Sequence, residues 1–344
     1  MNLLKRNVLL IILLAFTVSA ACSNQVSSNS ASENKSTSSS ENVPEKIVIG
    51  YQASPSGELL AKALGLLEKK YPDTKVEWVK FDAGRDVNNA IASGSINFGT
   101  VGTPPTSIGI ANKLPYSVYN LHDIIGESEA LVVKDDTGIQ SLHDLKGKKI
   151  ATTFSSTSHY SLLGALKEEG LDPVKENITI LDMTPPDIYA AWQRGEIDGA
   201  YLWQPMLEKL NQDKGKVIVN SKELAEKGVL TAELGYVHND FAKKYPEVVK
   251  DYVSVLDEAV KYYRDKPKES ADLLSKELGL SPEESLKTMK QLIWLDASQQ
   301  KEYFSGPLAE TLKETADFLV EQKSISSAPD LEVYQKSLLK EIHE

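Results

Sequence analysis

Between Pro44 and His238, short apolar runs alternate with stretches of helical spacing. Lys46–Gly50 (KIVIG) and Val76–Phe81 read as strands. Between them Leu59, Leu60, Ala63, Leu66 and Leu67 fall on one face of a helix over Glu58–Lys70. Asp86–Ser93 is helical and stops at Gly94, and Ile96–Val101 is a strand running into Gly102-Thr103-Pro104-Pro105. Glu129–Lys134 (EALVVK) is another strand, followed by a turn over Ser141–Lys149. Strands over Ile150–Phe154, Ile178–Leu181 and Ile197–Trp203 then alternate with helices over Tyr160–Glu169 and Ile188–Arg194. Gly235–His238 is a late short strand. This alternation predicts parallel βαβ units. From Asp240, expected to cap a helix, the chain is almost wholly helical. Ser281-Pro282-Glu283-Glu284 is a capping box, and Val248, Val249, Tyr252, Val255, Leu256, Ala259 and Val260 make one apolar face. These helices are expected to pack back on the first lobe.

The pattern is written twice. Ala90–Pro104 (AIASGSINFGTVGTP) matches Ala191–Pro205 (AWQRGEIDGAYLWQP) at an offset of 101 without a gap, Gly94 on Gly195 and Asn97 on Asp198. The same offset lays Ile47–Tyr51 on Lys148–Thr152. A doubled α/β unit builds two facing lobes with a cleft between them. The expected lobes are 44–134 with 233–344, and 135–232, with crossings near Lys134–Gln140 and Gly228–Gly235.

The ends change the picture. Lys5 and Arg6 precede an apolar Val8–Val18 too short for a permanent span, and Ser19-Ala20-Ala21 precede the only cysteine, Cys22. This resembles the lipobox of bacterial lipoproteins, departing from it at Ser19, where Leu, Val or Ile is commoner. Residues 1–22 are thus expected to be a lipoprotein signal peptide with Cys22 the lipidated residue. Ser23–Val43 is Ser-rich and nearly devoid of apolar side chains, a flexible tether with a reach of about 25 Å. The expected location is the extracytoplasmic face of the cell membrane. With Cys22 used at the anchor, no thiol remains for catalysis, disulfides or metal. The net charge of −11 and the lack of a Lys/Arg block exclude a nucleic-acid surface. His122, His143, His159, His238 and His343 have no metal-ligand spacing, and neither a P-loop nor a nucleophile elbow is present.

Ligands of open α/β sheets bind beyond the carboxyl ends of the strands. That rule nominates four loops: Gln52–Gly57, Gly102–Ser107, Ser155–Tyr160 and Tyr201–Pro205. Ser156, Thr157 and Ser158 precede a helix and suit an anion, as does the Gly102–Thr103 turn, although Pro104 and Pro105 remove donors. Glu129 and Asp198 are candidate acceptors for a ligand ammonium, with a backbone-bonding role the alternative for Asp198. Tyr51, Phe154, Tyr160, Tyr201 and Trp203 are candidate cavity walls or core residues.

Val79–Gly84 (VKFDAG) with Ala90–Gly94, Glu127–Lys134 (ESEALVVK), Ser156–Leu163 (STSHYSLL) and Ala191–Pro205 resemble the taurine-binding proteins of ABC importers, within the nitrate/sulfonate-binding group of solute receptors. The resemblance runs from Ile47 to about Tyr252. It implies a two-lobed α/β fold of the periplasmic-binding-protein type II, capture of taurine or a related sulfonate, and delivery to an ABC permease. It places the ammonium on Glu129, the sulfonate on Thr157, Ser158 and Gly102–Thr103, and walls at Tyr201 and Trp203; Gln52 and Ser156, in the nominated loops, are further candidate ligand contacts. Departures at 102–105, where two serines before a single proline are usual, and at 53–57 both touch this pocket. A monomer without cofactor or metal is expected. The alternatives are a receptor for another alkanesulfonate, nitrate or small organic anion, and an enzyme acting on a small acid with His159 and Asp198 as its acid and base.

Overall fold

The computed structural model describes residues 43–344. The signal, Cys22 and all but the last residue of the tether therefore lie outside the described residues. Among the described residues there are eleven strands: β1 Lys46–Gln52, β2 Lys75–Phe81, β3 Phe98–Gly102, β4 Tyr116–Ile124, β5 Glu129–Lys134, β6 Lys149–Thr152, β7 Thr179–Asp182, β8 Gly199–Trp203, β9 Gly215–Asn220, β10 Ala232–His238 and β11 Ile293–Trp294. They form two sheets, in the orders β11-β4-β10-β3-β1-β2 and β7-β6-β8-β5-β9.

The repeat is structural and keeps its register. Ile49 pairs with Phe98 and Gly50 with Gly99 in the first sheet; 101 positions on, Ile150 pairs with Gly199 and Ala151 with Ala200 in the second. The helices Gly84–Ala92 and Pro185–Arg194 end alike. Gly94 and Gly195 both take φ 70, a left-handed turn that glycine adopts without strain. The next N–H then reaches back to the carbonyl of Ala90 in one copy and of Ala191 in the other, at 3.0 Å in each.

Each sheet also receives one antiparallel strand beside its repeat, β10 against β3 and β5 against β8. Here the structure departs from the expected boundary. β5 pairs with β8 and β9, so it belongs to the second sheet, and the first crossing precedes Glu129. The apolar run EALVVK suits a buried strand in either sheet, and its own periodicity does not name the neighbour. The return crossing falls between the helix Ser221–Ala225 and β10.

Helices cover both faces of each sheet. The long helix Pro246–Asp265 buries all seven residues of its expected apolar face against β1 and the helix Gly57–Leu64. Ser281 caps Pro282–Met289 with its capping box. Two local expectations change. The Glu58–Lys70 helix is divided at Gly65, and His238 rather than Asp240 caps the helix Asn239–Lys244, its side chain accepting the Asp240 N–H at 3.2 Å. No helix among the described residues is long and apolar enough to cross a membrane.

Candidate functional site

The lobes meet over a cleft of about 650 Å³, counted to its open mouth. All four nominated loops send residues into it: Gln52 with Ser54, Pro55 and Ser56, Gly102 with Pro105, Ser156 with Thr157, and Trp203. Polar bonds between the lobes hold it shut. Arg85 Nη1 meets both oxygens of Asp182 at 2.9 and 2.8 Å, Gln204 Nε2 donates to Gln291 Oε1 at 2.9 Å, and Lys287 Nζ reaches Glu208 at 2.8 Å. Gly102 faces Thr157 so closely that a Cβ there would overlap the threonine methyl.

Three helices begin at this cleft: Gly57–Leu64, Thr103–Ala111 and Thr157–Glu168. Gly57–Leu64 and Thr157–Glu168 leave N–H groups of their first turns without intrahelical partners, whereas Pro104 and Pro105 leave Thr103–Ala111 only the Thr103 N–H among its first three residues; all three carry positive potential at that end. Ser56 caps Leu59 N–H at 3.1 Å and Ser156 caps His159 N–H at 3.2 Å, so the N–H groups before them stay available. The Ser156 hydroxyl is also committed as a donor, to Thr153 O at 2.6 Å. Serine here caps a helix, and the anion-binding capacity resides in the backbone.

Glu129 does not reach the cleft. It is fully buried beneath Thr157 and accepts three hydroxyls: Thr157 Oγ1 at 2.5 Å, Ser221 Oγ at 3.1 Å and Ser161 Oγ at 3.3 Å. Burial raises its pKa, and these hydroxyl bonds work against the rise. Thr157 donates its hydroxyl proton to Glu129, and its methyl is the part that meets Gly102 across the cleft.

The remaining candidates divide as follows. Thr103 and Ser158 are fully buried within the first turns of their helices and do not line the cleft. Asp198 lies at the far end of the second sheet, where its carboxylate accepts the Lys149 N–H at 2.8 Å. Asn97 does the same for Val48 N–H, also at 2.8 Å, so the matched pair serves the backbone and not a ligand. Tyr201 is buried in the second lobe with its hydroxyl on Ser221 Oγ at 3.1 Å, so it walls no cavity. Among the aromatics only Trp203 lines the cleft; Phe154 stacks on His159 at 4.4 Å, and Tyr51 donates to Glu277 at 2.6 Å. His159 follows the end of β6 while Asp198 bonds its first residue, so the two cannot work as an acid–base pair.

Three cleft carboxylates escaped the sequence reading: Glu58, Asp123 and Glu233. Glu58 accepts from Tyr252 Oη at 3.0 Å, and burial pushes its pKa up to about 7. Asp123 is 1 % exposed and its Oδ1 has no partner. Burial pushes Asp123 and Glu233 far above the usual carboxylate range, and the charges of Asp123, Glu129 and Glu58 add to the shift of Glu233. No Lys or Arg is among the lining residues.

Comparison with known proteins agrees with this architecture. Residues 45–261 match the family described as the substrate-binding domain of ABC-type glycine betaine transport systems. The chain is 37 % identical over 285 residues to the taurine-binding periplasmic protein of Escherichia coli K12, covering 81 % of this chain and 87 % of that one. Among solved structures it is similar to the alkanesulfonate-binding protein SsuA of Xanthomonas axonopodis pv. citri bound to MOPS, with TM-score 0.73, 25 % identity, and coverage of 86 % of this chain and 98 % of that one. The aliphatic sulphonate binding protein SsuA of Escherichia coli gives TM-score 0.68 at 27 % identity, over 85 % of this chain and 92 % of that one. The chain belongs to the substrate-binding proteins of ABC importers, in the group of taurine- and sulfonate-binding receptors with the two-lobed type II fold.

Proposed function

We propose that this receptor captures taurine or a similar small sulfonate between its lobes and hands it to an ABC permease from the extracytoplasmic face, tethered through a lipid on Cys22. The observation that carries the reading is the convergence of three helix N-termini on a cleft without a single basic lining residue. A sulfonate is a weak base that accepts many hydrogen bonds, so backbone N–H groups and helix dipoles suffice to hold it once closure excludes water. The site needs no covalent step, and the receptor acts as a monomer by enclosing its ligand. The cleft carboxylates favour a ligand that also carries a positive end over nitrate or a simple alkanesulfonate, the competing receptor readings.

Isothermal titration with taurine, ethanesulfonate and nitrate tests the assignment. Taurine is expected to bind best; stronger binding of nitrate or ethanesulfonate would replace it. A thermal-shift screen reports the same order, since ligand at a hundredfold its Kd adds about 2.7 kcal/mol of stability. Labelling with a radioactive fatty acid, lost in Cys22→Ser, tests the anchor.

A further inference from the structure

A second space adjoins the cleft. It measures about 640 Å³, counted to its open mouth, lies between the lobes, and shares Gln52 and Trp203 with the cleft. That position makes it a vestibule to the ligand site. Lys80, near the end of β2, lines it from the first lobe, and Lys209, on the helix Met206–Gln212, lines it from the second. The net charge of the chain is −11, and the cleft behind carries Glu58, Asp123 and Glu233 without one basic residue. An anion approaching those carboxylates is repelled, and the two ammonium groups supply the opposite field at the entrance.

Both lysines are free for that task. Neither forms an ion pair among the described residues, whereas Glu277 of the vestibule is spent on Tyr51 at 2.6 Å and on Lys62 at 2.9 Å. Asp82 is the one other carboxylate lining the space. Lys209 has a further partner that depends on closure. Its Nζ lies beside Gly279 of the first lobe, 3.5 Å from where a Cβ would stand. Gly279 follows the helix Pro267–Leu278, and the N–H groups of Gly279 and Leu280 both return to Ser275 O, so neither bond covers the carbonyls of Glu277 and Leu278. Those carbonyls form the negative end of the helix dipole, which an ammonium suits.

We infer that Lys80 and Lys209 form an outer anion subsite that receives the sulfonate of the ligand before the lobes close, and that closure itself takes Lys209 away. In the open receptor both ammonium groups face the incoming anion from opposite rims. As the lobes meet, Lys209 exchanges the sulfonate for the carbonyls at the end of Pro267–Leu278, and the sulfonate passes inward to the helix N-termini. The anion is drawn in by full charges and held, once bound, by backbone N–H groups.

The inference rests on the cleft being a sulfonate site, and its test separates the two. Stopped-flow fluorescence of Trp203, which lines both spaces, follows ethanesulfonate, taurine and nitrate in wild type, Lys80→Gln, Lys209→Gln and the double variant, each confirmed folded by circular dichroism. Ethanesulfonate association should slow about fivefold in each single variant and further in the double one. Taurine, with no net charge, should slow less. Rising salt should slow wild type and leave the double variant level. Dissociation should be unchanged in Lys80→Gln and faster in Lys209→Gln, which also loses its closed-state partner, while Lys80→Arg should behave as wild type. Association that ignores both lysines, or one salt slope for wild type and double variant, would overturn the outer subsite while the sulfonate assignment stands. Should neither sulfonate bind, that assignment falls, and nitrate decides the outer subsite by the same rates; binding of no anion removes both.

Discussion

The side chain of Asp198 bonds the backbone N–H of Lys149 at 2.8 Å, 49 residues earlier, as Asn97 bonds that of Val48 across the same interval. One copy uses an amide and the other a carboxylate, and the accepting oxygen does the same work in each. Each bond ties the loop before a strand to the start of its neighbour. Asp198→Asn should thus leave stability and ligand affinity unchanged. Asp198→Ala and Asn97→Ala should each cost about 1–2 kcal/mol, read by urea unfolding, with ligand affinity intact. A loss of affinity in the folded Asp198→Asn variant would restore Asp198 as a ligand group.

Glu129 and Thr157 make a second prediction. Glu129 holds Thr157 in place without touching the cleft. Glu129→Gln should weaken an amino-bearing ligand through Thr157 alone, less than Glu233→Gln does. It should also cost about 1–3 kcal/mol in stability, because three buried hydroxyls lose a charged acceptor. Calorimetry of the two variants side by side ranks them, and the reverse order would return the ammonium to Glu129.

Sequence showed the fold more fully than the site, and particular residues explain why. The repeat was visible because Gly94 and Gly195 must turn left-handed and Asn97 and Asp198 must bond a strand; such backbone demands leave fixed letters at fixed intervals. β4 left no such trace: Asn120, His122 and Asp123 interrupt its apolar run, and a buried strand carrying three polar groups reads as a loop. The four loops were placed by topology, yet direction within them was not. Glu129 was marked by its strand edge, but the hydroxyls that claim it come from positions 157, 161 and 221. Glu233 became visible as a cleft carboxylate only when β10 was seen beside β3.

pH supplies a third prediction. Asp123 and Glu233 hold protons well above the usual carboxylate range, and Glu58 titrates at about 7, burial being the main cause in each. His122, next to Asp123, is driven to about 3 by burial and adds no compensating charge near neutrality. An ammonium requires ionised acceptors, so its binding expels protons. Taurine affinity should therefore drop as pH falls, while ethanesulfonate affinity does not. Stability of the empty protein should move the other way. Raised carboxyl pKa values mean that the folded state keeps protons the unfolded chain releases, so this contribution is present below the unfolded pKa and lost as pH rises through the folded one. Buried neutral His122 and His159 oppose the trend below their unfolded pKa, so the Asp123→Asn variant is the control that isolates the carboxylate part. Calorimetry in buffers of different ionisation enthalpy counts the protons; taurine binding that ignores pH would refute the scheme.

Arg85 and Asp182 close one side of the cleft from opposite lobes. Both side chains are over a third exposed, so the pair is worth about 0.2–1 kcal/mol despite its two-pronged geometry. Its loss should act on the closed state alone. Arg85→Ala is expected to raise the ligand dissociation rate by up to about fivefold and leave association unchanged, measured by stopped-flow fluorescence of Trp203. High salt should reproduce part of the effect in wild type and none in the variant.

Gly102 and Thr157 offer the sharpest test of closure itself. They meet across the cleft, and a Cβ at Gly102 would overlap the Thr157 methyl while its backbone conformation, φ −69 and ψ 169, suits any residue. Gly102→Ala should leave folding untouched and obstruct only the approach of the lobes, lowering affinity tenfold or more, or about 1.4 kcal/mol and above. Thr157→Ser removes the obstructing methyl and keeps the hydroxyl for Glu129, so by itself it should change affinity little. Combined with Gly102→Ala it should recover most of the loss, since the two changes act on one contact and cannot add as independent sites do. Small-angle scattering distinguishes the mechanism: the alanine variant should remain extended at saturating ligand, and the double variant should compact as wild type does. A loss of affinity that Thr157→Ser fails to relieve would mean that the glycine serves the ligand directly, through its bare backbone beside Glu233, and not through closure.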